Sequence, residues 1–360
     1  MLTARTLWDD PLALLPQSPS TALTTQELGP VARNPARMLR CHNIYRLVCQ
    51  PKGDSNDLTG FVRTDLVGEQ QAEALLQKLT QENPGWTTEQ VQEEFAQQIF
   101  EPKKRRSLEA WYHWVLRAIE RFIERQPSEI FTSREKKQLR ARLRATQFQL
   151  PPPASLYQDE PDLLTRSGAF YERTPDNKMR FRIGGGYILA ARSRFNIINT
   201  LAHELAHAID PCEILDAHLS FPAYDRLTAC FLKTKLIATP KNRSECGAHD
   251  QLSEAFADWV ATQIVSEYLS QFATEFRGAQ IVNAARNSVR DLCDDEEEPQ
   301  DPSDLEFHPS ARVRIEKIFG AHPTIRHLLG CEPDETPPPY CFFEPEFPIY
   351  RIPEIKPDSF

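Results

Sequence analysis

The stretch Thr200-Leu201-Ala202-His203-Glu204-Leu205-Ala206-His207-Ala208-Ile209-Asp210 sets two histidines four residues apart inside a helical pattern. At 3.6 residues per turn they project from one face, and both imidazoles can reach one ion. Glu204 stands beside the pair, where a carboxylate can take a proton from a metal-bound water that attacks a peptide carbonyl. Zinc brings the pKa of such a water to about 7 and polarises the carbonyl. Phe195, Ile198, Ala202, Leu205, Ala206 and Ile209 form the side of this helix that packs into a core, and Ser193 can cap its start. A five-residue match arises by chance, so its weight comes from context. The chain has only nine histidines, and two fall at this spacing with an acid between them.

A catalytic zinc takes three protein ligands and keeps one open position. Glu213 lies ten residues after His203, the spacing of the metzincin third ligand, but Asp210 stands where those enzymes have glycine for a sharp turn. Asp210 itself is too close along the same helix to reach round. The better third ligand is Glu254, in Ser253-Glu254-Ala255-Phe256-Ala257-Asp258-Trp259, an amphipathic helix in which Glu254 and Asp258 share a face. Asp258 is placed to accept a hydrogen bond from the free ring nitrogen of His203, fixing its tautomer and raising its basicity.

His-Glu-x-x-His followed some fifty residues later by Glu-x-x-x-Asp resembles the gluzincin metallopeptidases. The run His203 to Asp210 looks most like the neprilysin-like (M13) family, with the M48-type gluzincins next. Phe307-His308-Pro309-Ser310-Ala311-Arg312-Val313-Arg314-Ile315 resembles that family's C-terminal motif. The resemblance implies that His308 donates to the oxyanion and that Arg314 orients Asp258 or binds a substrate carbonyl. It also implies one catalytic Zn2+ on His203, His207 and Glu254, with Glu204 as base and Asp258 and Asp210 behind the ligands. It covers roughly residues 183–331. The family's Asn-Ala substrate-binding pair has no clear counterpart, and residues 67–150 are too few to copy its large helical lid.

Around this segment the expected fold is α+β and mainly helical, a zincin-like catalytic domain with a small edge-strand sheet and an N-terminal helical subdomain. Residues 1–66 read as irregular, with a short strand at Ile44–Val48. Residues 67–150 read as the helical subdomain, with helices at Glu69–Gln81, Thr87–Phe100, Ser107–Arg125 and Ser133–Ala145. Thr87 and Gln90 have capping-box spacing. Pro151-Pro152-Pro153 marks a boundary. Residues 154–331 form the catalytic domain, with strands at Gly168–Arg173 and Met179–Ile183 around a turn at Thr174 to Asn177. Gly184-Gly185-Gly186 leads into a third strand, Tyr187–Ala191, whose Tyr187, Leu189 and Ala190 could pair with an extended substrate. Further helices are expected at Tyr224–Leu236, Leu252–Phe272, Glu275–Leu292 and Ser310–Phe319. The Pro-rich tail, 332–360, packs on the surface.

Composition narrows the partners. A net charge of −9 disfavours nucleic acid, and the basic stretch from Lys103 to Arg144 and the acidic one from Asp294 to Glu306 read as solvated faces. No apolar run is long enough to span a bilayer. None of the eight cysteines forms a Cys-x-x-Cys pair, which argues against a cysteine zinc site. Their even number is compatible with disulfides, for which Cys41/Cys49 and Cys331/Cys341 could close short loops, and leans towards a secreted or periplasmic home. No leader with a basic start and an apolar stretch is visible against that lean. The expected partner is a peptide or protein substrate. A zinc amidase acting on cell-wall peptides and a non-catalytic zinc-stabilised binding protein are the alternatives.

Overall fold

The computed structural model describes residues 44–49, 64–148, 161–173, 179–190, 193–210, 222–235, 250–272, 279–293, 309–331 and 341. Of these, 76% are helical, beside one small three-stranded sheet. The early elements are α1 (Ile44–Cys49), α2 (Thr64–Glu82), α3 (Thr88–Ile99), α4 (Pro102–Arg125) and α5 (Ser133–Ala145). Thr87 and Gln90 close the expected capping box on α3, and Thr132 with Glu135 closes a second on α5. In α4 the stripe Leu108, Trp111, Val115, Ile119 and Phe122 is buried. It lies against the two helices that carry the candidate ligands. Buried residues on both sides of the proline triplet belong to one continuous hydrophobic cluster. Arginines of the basic stretch are ion-paired: Arg121 and Arg125 both meet Glu267, at 2.6 and 2.5 Å.

The sheet has the order β1 (Gln147–Phe148), β3 (Met179–Ile183), β2 (Ala169–Arg173). β1 is parallel to β3, and β2 is antiparallel to it with Tyr171 opposite Phe181. The Gly184 N–H donates to the Gly168 carbonyl at 2.9 Å. Even-numbered β2 residues therefore bond inward to β3, and Ala169 and Tyr171 turn their backbone groups to the outer edge.

Two expected strands are helices. Ile44–Val48 lies in α1, where Ile44, Tyr45, Val48 and Cys49 are buried at helical spacing. Six residues are too few for period alone to separate the two states. Of the expected strand Tyr187–Ala191, Tyr187 to Leu189 lie in α6 (Gly185–Leu189), closed by the Ala190 N–H on Gly186 O, and residue 191 lies outside the described residues. The glycines are there for close approach, since a Cβ on Gly185 would sit 2.1 Å from Leu164 O and one on Gly186 2.3 Å from Thr165 O.

The remaining elements are α7 (Arg194–His207), α8 (Pro222–Lys233), α9 (Asp250–Phe272), α10 (Ala279–Ser288) with a 3₁₀ turn at Arg290–Cys293, α11 (Ala311–Val313) continuing as a π-helical turn at Arg314–Phe319, and α12 (Pro323–Leu328). α9 is not amphipathic as expected. Leu252, Ala255, Phe256, Trp259, Val260, Ile264, Val265 and Tyr268 bury it on all sides, which is how an all-round apolar helix is accommodated. The disulfides differ from the short-loop pairs as well. Cys49 bonds Cys293 and Cys230 bonds Cys341, while Cys331 is disulfide-bonded but not to Cys341. Among the described residues no helix is long and apolar enough to cross a membrane. The 174–177 turn, Glu213, His308, the 294–306 acidic segment and the tail apart from Cys341 lie outside the described residues.

Candidate metal centre

α7 starts where the Ser193 hydroxyl accepts from the Asn196 N–H at 3.2 Å. It ends by tightening to i→i+3 bonds just past His207, with Ala208 N–H on Leu205 O and Ile209 N–H on Ala206 O. Arg142 of α5 donates to the Ala208 carbonyl at 3.2 Å and so caps the exit. α7 packs on α9 more extensively than any other two elements pack together. Buried alanines stand beside the functional side chains on both helices, Ala202 and Ala206 on one and Ala257 and Ala261 on the other. Such small residues let two backbones approach.

Across this contact the ring nitrogens of both histidines are divided by role. His203 Nδ1 meets Asp258 Oδ1 at 2.9 Å, and His207 Nδ1 meets Ser253 Oγ at 3.2 Å. The two Nε2 atoms turn to Glu254, at 3.0 Å from His203 to Oε2 and 3.7 Å from His207 to Oε1. One ligand atom from each of His203, His207 and Glu254 lies within 4.8 Å of the other two, so the set could hold a metal ion. Two imidazoles with their far nitrogens hydrogen-bonded, plus one carboxylate, is a donor set that fits a divalent cation.

Arg314 completes the support behind His203. Its Nε and Nη2 reach the two oxygens of Asp258 at 2.6 and 2.8 Å. The π turn that carries it closes through Gly320 N–H on Ile315 O at 2.6 Å. Burial alone would raise the Asp258 pKa, but the charge and hydrogen bonds of Arg314, together with those of His203, hold it well below the usual carboxylate range. For His203, burial opposes the charged form, yet Asp258 and Glu254 outweigh it and lift the ring to about 10. Glu204 is pushed up to about 7 chiefly by burial, with Glu254 adding to it and His203, the Tyr171 backbone and Arg314 opposing. That backbone contact is the outward-facing N–H of the β2 edge. The Tyr171 ring lies over His207 with centroids 6.0 Å apart.

The structure thus brings His203, Glu204, His207, Glu254, Asp258 and Arg314 together. Asp210 is fully buried just past the C-terminal turn of α7. Tyr187, Leu189 and Ala190 do not supply an edge: they lie in and at the end of α6, and Tyr187 and Ala190 are buried. The strand beside the centre is β2 instead. Ser253 and Tyr171 went unread in the sequence. A hydroxyl one residue before Glu254 was the available signal for the first, and nothing local marked the second. Comparison with protein-family models, curated proteins and solved structures finds no match for this chain.

Proposed function

We propose that this chain is a zinc-dependent peptidase with a zincin-like catalytic core. The observation that carries the reading is the convergence of His203 Nε2, His207 Nε2 and a Glu254 oxygen, from two helices, beside a half-buried Glu204. A zinc ion held by these residues supplies Lewis acidity to a substrate carbonyl and lowers the pKa of water at the centre. Glu204 would be the base: a carboxyl raised by burial beside the centre can take a proton from water and return it to the leaving amine. Asp258 fixes the His203 tautomer and Arg314 fixes Asp258. The outer edge of β2 lies beside the centre, where an extended peptide can align. A purely structural zinc site has no use for a further half-buried acid beside its ligands, which favours hydrolysis over a binding role.

The test is metal content together with cleavage of a peptide mixture by wild type and Glu204→Gln. Wild type is expected to carry about one zinc per chain and to cleave. Glu204→Gln is expected to keep the metal and lose at least about 100-fold in rate. A metal-loaded wild type that cleaves peptidoglycan fragments but no peptide mixture would replace the peptidase reading with the amidase one.

A further inference from the structure

We propose that the Cys49–Cys293 disulfide is a redox switch for the candidate centre, clamping in its oxidised state the two turns that wall the cavity beside His203 and Glu204. What the switch controls rests on the peptidase reading above; how it works rests on the contacts of α1. The cavity, about 160 Å³, is lined by residues of α7, by Val289, Asp291 and Leu292 of the segment after α10, and by Arg314. Those last two segments lie outside the helices that carry the candidate ligands. α1 packs on both, against the 3₁₀ turn Arg290–Cys293 and against the π turn Arg314–Phe319. Cys49, at the end of α1, is bonded to Cys293 at the end of the 3₁₀ turn. Ile44, at the start of α1, is seated on Gly320, where a Cβ would come within 2.8 Å of the Ile44 Cγ2 and of the Ile315 carbonyl. That same carbonyl accepts the Gly320 N–H and closes the π turn. Between these two anchors the Leu47 carbonyl accepts from Arg286 Nε of α10 at 2.8 Å.

One short helix thus spans both walls, and the covalent bond keeps it there. Its six residues fall far below the length of about 12–15 at which a helix sustains itself. The bond joins residues 244 apart in sequence, so without it α1 finds its seat only through a long closure of chain. What holds it then is noncovalent contact, such as the Arg286 hydrogen bond and the packing of buried Ile44, Tyr45 and Val48. Loss of the clamp reaches the chemistry by two routes. One is Arg314, which bonds both oxygens of Asp258 from the π turn, and the other is the Val289–Leu292 wall. The candidate ligands are fixed elsewhere, by the contact of α7 with α9. The reduced protein therefore keeps its metal and loses alignment of the substrate beside it. The step is a thiol–disulfide exchange: a dithiol supplies two electrons and two protons, the S–S bond breaks to give the Cys49 and Cys293 thiols, and the dithiol becomes a disulfide. Both cysteines are buried, so exchange proceeds as α1 lifts from the turns, a local opening of one short element.

The experiment has two arms on the full chain in excess zinc. In the first, Cys49→Ser/Cys293→Ser and Cys230→Ser/Cys341→Ser are compared with oxidised wild type by zinc content, amide hydrogen exchange and kcat/KM on a peptide that wild type cleaves. Cys49→Ser/Cys293→Ser is expected to keep zinc and to exchange about 10-fold faster or more over residues 289–293 and 311–320, with α7 and α9 unchanged. Its kcat/KM is expected to fall by about 10- to 100-fold. Cys230→Ser/Cys341→Ser also loses a long-range bond but is expected to keep kcat/KM, which separates the clamp from stability in general. In the second arm, wild type is reduced stepwise with dithiothreitol and reoxidised. Activity is expected to fall and return in step with the fraction of Cys49 and Cys293 found as thiols by mass spectrometry. Unchanged exchange over the two turns, a rise spread evenly along the chain, loss of zinc, or an equal fall in the Cys230/Cys341 variant overturns the switch and leaves the peptidase reading standing. If the Cys49/Cys293 variant does not fold, the wild-type titration decides, and activity indifferent to the thiol fraction overturns the switch. Failure of oxidised wild type to cleave any peptide overturns the peptidase reading. In that event exchange over the two turns that does not respond to reduction overturns the clamp as well.

Discussion

Asp258 is bracketed by the His203 ring and the Arg314 guanidinium, all three buried. An asparagine there keeps the shape but loses the charge that offsets Arg314 and raises the basicity of His203. Asp258→Asn is expected to weaken zinc binding by about 10- to 100-fold in a chelator competition titration. It is also expected to destabilise the fold by about 3–5 kcal/mol in urea, because a buried guanidinium loses its counter-charge. A second residue-scale effect lies away from the centre. His322 accepts the Thr324 N–H at Nδ1, 3.2 Å, as the N-cap of α12, and its Nε2 meets Gln263 Oε1 at 3.3 Å. Burial pushes its pKa down to about 3. The unfolded chain, with His near 6.5, therefore binds the extra proton across that window. Stability from this group is full above pH 6.5 and is lost as pH falls towards 3. His322→Asn, a good cap that does not titrate, is expected to flatten the slope of urea midpoint against pH between 6.5 and 4.

At the scale of elements, the histidine helix depends on its cap. Ser193→Ala removes the acceptor for Asn196 N–H and is expected to cost about 1 kcal/mol in urea unfolding. Zinc affinity should hardly change, since His203 and His207 sit turns away and are fixed by Asp258 and Ser253. A large loss of zinc affinity would mean that the first turn, not the contact with α9, positions the rings. The same contrast explains what could be read in advance. Caps and periodic stripes are local, so Thr87, Ser193 and the Leu108–Phe122 face were legible, as was the Glu254/Asp258 face opposite the histidines. Gly184-Gly185-Gly186-Tyr187-Ile188 was misread because its conformation is set from outside. The carbonyls of Leu164 and Thr165 press against the glycines, and β-favouring Tyr and Ile yield to that packing. Cys49 with Cys293 is 244 residues apart in sequence, a pairing no spacing rule selects. The π turn that delivers Arg314 has no sequence signature of its own.

For the whole molecule, the two helices that carry the candidate ligands pack in the core with α8 between them in sequence, so an ion bridging them would tie distant segments together. An ion that binds only the folded state stabilises it by about 4 kcal/mol when present at 1,000 times its dissociation constant. Small zinc domains unfold when stripped, because the metal supplies most of their folding energy. Here the core is large and continuous, and without an ion His203 can stay charged between Asp258 and Glu254. Cys49–Cys293 and Cys230–Cys341 close further loops of 244 and 111 residues, each restricting the unfolded chain by about 5 kcal/mol in the loop-entropy account. Chelation of the zinc-loaded protein is therefore expected to lower Tm by several degrees while leaving far-ultraviolet circular dichroism unchanged at 25 °C. Reduction of the disulfides should lower it further and by a larger step. A Tm indifferent to chelator, in protein shown to have carried zinc, would place that ion somewhere other than between α7 and α9.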